Sequence, residues 1–84
     1  MTTHMQIEPT YRLFVTKGSA AQKDFAYDKA TLRSHLNQHL AQGCDSIYVI
    51  EVASGVTQQV KLVDGKAVWT ETPADIAKMV QSYF

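Results

Sequence analysis

Between Ser46 and Ala53 the chain reads SIYVIEVA, a run of β-branched aliphatics with one tyrosine, broken by a single charge at Glu51. Such a run predicts the central strand of a small sheet, because branched and aromatic side chains pack well on a pleated surface. Upstream, Thr10 to Thr16 alternates, with Tyr11, Leu13 and Val15 on one face and Arg12, Phe14 and Thr16 on the other, which predicts a first strand with one buried face. Lys17 to Asp24 carries Gly18, Ser19 and charges and predicts a loop, with Phe25 to Tyr27 as a short strand returning onto the first.

Asp28 fits a helix N-cap, where a short carboxylate accepts from the orphan amides of the first turn. The helix is expected from Lys29 to about Gln42: Leu32, Leu36 and Leu40 recur every four residues as a narrow apolar stripe, and Gly43 stands where a left-handed closing residue belongs. After the central strand, Ala53-Ser54-Gly55 predicts a three-residue turn into Val56–Val63. That register sets Tyr48, Ile50 and Val52 beside Val56, Val60 and Leu62 and leaves Glu51, Thr57, Gln59 and Lys61 opposite; a one-residue slip would expose more apolar surface. Asp64-Gly65 predicts a type I′ hairpin into Lys66–Thr70, with Ala67 and Trp69 on the core face and Trp69 as the largest piece of the core. Thr72 as N-cap and Pro73 at the first helical position start a last helix, whose stripe is Ile76, Ala77, Val80, Tyr83 and Phe84.

The order β(β)αβββα predicts an α+β fold: a three- to four-stranded, mainly antiparallel sheet with both helices packed on one face. Residues 10–84 form one domain and residues 1–9 a flexible arm. At 84 residues a single modest core must hold the fold.

Eight basic residues balance eight acidic ones. Zero net charge argues against affinity driven by counterion release on nucleic acid, and it removes the repulsion that keeps copies apart, so a protein partner or self-association is expected. The lone Cys44 has no internal partner and no apolar leader is present, so the expected compartment is the cytoplasm; no run is long enough to span a membrane.

Motif chemistry is sparse. The four glycines are isolated and each has a turn or cap to explain it, and neither HExxH, CxxC nor a serine elbow occurs, so the expectation is a non-enzyme without cofactor. The sharpest pattern is His35 and His39, four apart on one helix, which with Cys44, Asp45 or His4 offer ligands to a metal ion; two histidines alone leave a tetrahedral site open. Cys44 with His39 offers a thiolate and base, but a helix C-terminus disfavours the thiolate.

The helix, three strands, helix order from Asp28 to Phe84 resembles the topology of double-stranded RNA-binding domains. Where those carry a lysine cluster and a glycine-proline-x-histidine loop, this chain has Thr72-Pro-Ala-Asp-Ile-Ala-Lys78 and Ala53-Ser-Gly-Val56. The resemblance covers the order of elements and implies a nucleic-acid-binding module as one alternative function; a metal-binding protein using His35 and His39 is the other.

With both helices on one face, the reverse of the sheet is left open. Phe14, Ile47, Val49, Val63 and Val68 fall there among charged and polar neighbours such as Lys61, and Phe14, Ile47, Val49, Lys61 and Val68 are the expected partner-binding residues. The expected function is a small non-catalytic protein-binding domain, an inhibitor or adaptor, similar in size and build to the anti-CRISPR proteins of phages and mobile elements.

Overall fold

The computed structural model describes residues 9–84, so the expected arm lies outside the described residues except for Pro9. The elements are β1 (Tyr11–Lys17), β2 (Ala20–Ala26), α1 (Lys29–Ala41), β3 (Ser46–Glu51), β4 (Thr57–Val63), β5 (Lys66–Glu71) and α2 (Ala74–Ser82). All strands pair antiparallel in one sheet of order β2-β1-β3-β4-β5. The class is α+β and SIYVIE is the middle strand, but the sheet has five strands rather than three or four.

The additional length comes from β2, which occupies the stretch expected as a loop. Gly18 and Ser19 form a two-residue hairpin between Lys17 and Ala20, with Gly18 at φ 61°. A glycine at positive φ in the first central position is the pattern of a II′ turn, whose twist matches the strands it joins. The charges of β2 are tolerated because it is an edge strand, with Asp24 held by His39 and Lys23 set over the Phe84 ring.

The two helices lie on opposite faces, which corrects the expected one-sided arrangement. Under α1 sit Leu13, Val15, Ile47, Val49 and Val60, closed by Leu32 and Leu36. Under α2 sit Phe14 and Ile50, closed by Val80 with Ile76 and Phe84 at the margin. Successive strand residues point to opposite faces, so Leu13-Phe14-Val15 and the Ile47 to Ile50 run are apolar on both sides because both sides are covered. Burying each large aliphatic here contributes roughly 1.5–3 kcal/mol.

The β3–β4 register also differs by one residue. The Glu51 N–H donates to the Val56 carbonyl at 2.9 Å and the Gly55 N–H to the Glu51 carbonyl at 2.8 Å, closing a four-residue loop rather than a three-residue one. Ser54 stabilises that loop, its hydroxyl donating to Glu51 Oε1 at 2.8 Å and accepting from the Val56 N–H at 3.2 Å. Ile47 therefore faces Val60, and Ile50 faces Thr57. Since the side-chain period is two, that slip moves Val60, Leu62, Ala67 and Trp69 to the α1 face.

The local caps follow their chemistry with one exception. Asp28 accepts from the Thr31 N–H at 2.7 Å, as an N-cap should. Asp64 (φ 51°) and Gly65 (φ 77°) are both left-handed, as a type I′ turn requires. Thr72, by contrast, does not cap α2. Its N–H continues the β4–β5 ladder to the Thr57 carbonyl at 3.3 Å, which holds it extended, and its buried hydroxyl has no partner among the described residues. The cap position passes to Pro73.

Candidate functional site

The expected partner-binding residues do not share a surface. Phe14 is buried beneath α2, its ring stacked on Tyr83 at 4.7 Å between centroids and edge-on to Phe84 at 6.4 Å. Ile47 and Val49 are buried beneath α1. Only Lys61 and Val68 stand exposed, on β4 and β5. Phe14 is roofed by α2 and Ile47 and Val49 by α1, so these three residues belong to the interior rather than to one open face.

Beyond the exposed edge strand β2, the largest uncovered stretch is the β4–β5 half of the sheet. From Lys61 to Thr70 every residue is exposed, including Leu62, Val63, Val68 and Trp69. Cross-strand pairs share a face, so Leu62, Ala67 and Trp69 lie on the α1 side, and Lys61, Val63 and Val68 on the α2 side. Trp69, expected at the centre of the core, is 41% exposed because neither helix reaches β5. The β4–β5 hairpin extends an elongated body of 52 × 27 × 24 Å, whose radius of gyration of 13.5 Å exceeds the roughly 12 Å of a compact chain this long.

Between α1 and this outer half runs a groove of about 580 Å³. It is lined by Lys29, Leu32, Arg33 and Leu36 of α1 and, from the sheet and its loop, by Val56, Ala67 and Trp69. α1 packs over β1 to β3 with β2 nearest, so the β5 side of its face is left without a lid. The edge beyond β5 is unoccupied by any strand of the described residues.

At the other end of α1, His39 is buried and its Nε2 bonds the Asp24 carboxylate across the gap to β2. The sequence did not suggest this pair; the signal available was that His39 flanks the leucine stripe and that a hairpin at Gly18-Ser19 would bring Asp24 to the same side. With the imidazole so engaged, the described residues contain no group of three or more His, Cys, Asp or Glu able to hold a metal ion, and His4 lies outside them. Cys44 shares a recess of about 380 Å³ with His39 and Lys17. Burial pushes its thiol above the ordinary 9.0, and the neighbouring Asp45 adds to the shift. A protonated thiol beside an imidazole already bonded to a carboxylate is not an activated nucleophile.

The helix, three strands, helix segment is not a layer of its own: β1 and β2 extend the sheet beyond β3, and the two helices sit on opposite sides. Among the described residues no helix is long and apolar enough to cross a membrane. Comparison with family models, with curated proteins and with solved structures finds no match to this chain.

Proposed function

We propose that this chain is a small non-catalytic protein-binding domain, an inhibitor or adaptor, that contacts its partner through the β4–β5 hairpin rather than through a bare sheet face. One observation supports this most strongly: Leu62, Val63, Val68 and Trp69, large apolar side chains on both faces of one hairpin, all stand at 39% exposure or more. Single exposed aliphatics are ordinary, whereas a contiguous set at the end of an elongated body has the composition of an interface core. Trp69 supplies the aromatic anchor that such interfaces favour, and Lys61, Lys66 and Glu71 the polar rim.

The test is retention of proteins on the immobilised chain, quantified by mass spectrometry for the native sequence, for Leu62→Glu/Val68→Glu, and for Lys78→Glu on exposed α2. A stoichiometric partner lost with the hairpin variant and kept with Lys78→Glu supports the reading. Equal retention by both variants overturns it.

A further inference from the structure

We infer that β5 pairs edge to edge with β5 of a second copy of this chain, antiparallel, about a two-fold axis passing through Trp69. This rests on the reading of the β4–β5 hairpin as the contact surface and names the partner.

The ladder determines which groups are free. The Thr72 N–H reaches the Thr57 carbonyl, and the two-residue turn at Asp64-Gly65 makes Val63 and Lys66 the closing pair. Antiparallel pairs alternate between bonded and non-bonded, so Lys66, Val68, Thr70 and Thr72 bond to β4. Ala67, Trp69 and Glu71 therefore turn their N–H and C=O groups outward.

The two sheet edges are guarded differently. On β2 the outward set includes Lys23 in mid-strand, and α1 packs alongside. A lysine at that position discourages a neighbouring strand. On β5 the run Ala67-Val68-Trp69-Thr70 holds neither charge nor proline, and its register with β4 is unbroken by a bulge. Its charges, Lys66 and Glu71, stand only at the ends.

A second copy fits this edge better than its alternatives because the edge complements itself. A two-fold axis normal to the sheet joins residues of like face, so outward residues must meet outward residues. Placing Trp69 opposite Trp69 sets Ala67 opposite Glu71 twice, which uses all three outward residues in roughly six hydrogen bonds, against roughly four for a register shifted one residue pair either way. No like charges meet: Lys66 faces Thr72, Glu71 faces Ala67, and Val68 faces Thr70. The two indoles adjoin over the axis and the α1-side grooves become neighbours, while a chain of zero net charge offers no long-range repulsion.

Sedimentation equilibrium of the full chain tests the pairing. The expected mass at high micromolar concentration is twice the 9.4 kDa of one chain. Ala67→Pro removes an outward N–H without touching the bonds to β4, and it is expected to weaken the dimer about thirtyfold, the equivalent of two hydrogen bonds, with the circular dichroism of the monomer retained. In a Cys44→Ser background, Trp69→Cys is expected to cross-link to its own copy under mild oxidation and Lys66→Cys is not, since bonded antiparallel partners stand about 5.5 Å apart at Cα and Lys66 lies roughly 20 Å from its equivalent. A single-chain mass up to millimolar concentration overturns the dimer, and the hairpin reading is then judged by partner retention alone. A dimer that cross-links through Lys66→Cys, or that Ala67→Pro leaves intact, overturns the β5 pairing.

Discussion

Val49 and Val68 are the same side chain in opposite settings, and truncating each to alanine separates the two-sided sheet from a sheet with one bare face. Val49 lies beneath α1 with 3% of its surface exposed, whereas Val68 on the edge strand is 39% exposed. Val49→Ala removes two carbon groups from a packed interior at about 0.8 kcal/mol each and leaves a cavity among Leu36, Leu13 and Ile47, for a total of roughly 2–3 kcal/mol. Val68→Ala removes the same atoms from a site that water already reaches and should cost under about 1 kcal/mol. In urea, with a denaturant slope near 1 kcal/mol/M for so small a domain, the midpoint is expected to fall by about 2–3 M for Val49→Ala and by less than about 1 M for Val68→Ala. Global stability on the order of 5–10 kcal/mol leaves room to measure both. Equal, small shifts for the two variants would place Val49 on an open surface and refute the packing of α1 over it.

Three further outcomes follow from local chemistry. Thr31 donates to the Asp28 carboxylate and holds its pKa below the ordinary 3.8, so its contribution is complete above pH 3.8 and is lost as pH falls through the lowered value; the thermal midpoints of the native chain and Asp28→Ala, separated at pH 7, should converge in more acid solution. Burial raises the Cys44 thiol above 9.0, so alkylation by iodoacetamide at pH 7 should be slower than for free cysteine and accelerate only in alkaline solution; brisk modification at neutrality would contradict the burial. A Cβ added at Gly65 meets nothing within 4 Å, yet φ is 77°, so Gly65→Ala should cost about 1 kcal/mol from backbone strain alone, read as a lower midpoint without loss of the β signal.

Where the determining forces are local, the sequence was sufficient. Asp28, the Leu32-Leu36-Leu40 stripe and Gly43 specify α1 through a cap, a face and a left-handed stop within fifteen residues of one another, and each is found in place. Asp64-Gly65 specifies its hairpin because few turns accept two successive residues at positive φ. The antiparallel α+β class follows from the alternation of strand signals with tight turns. Gly18-Ser19 was also a readable hairpin signal, hidden by the charges of β2 that only an edge position makes acceptable.

The tertiary structure alone decided which side of the sheet each helix covers and which pairs meet across β3 and β4. Both depend on contacts between segments far apart in the chain: α2 closes on Phe14 some sixty residues upstream, and one additional residue in the Val52–Gly55 loop exchanges the faces of every side chain in β4 and β5. Phe14, Ile47 and Val49 consequently lie inside the molecule, while Trp69, the largest apolar side chain, stands at its edge because the two helices are spent covering β1 to β3.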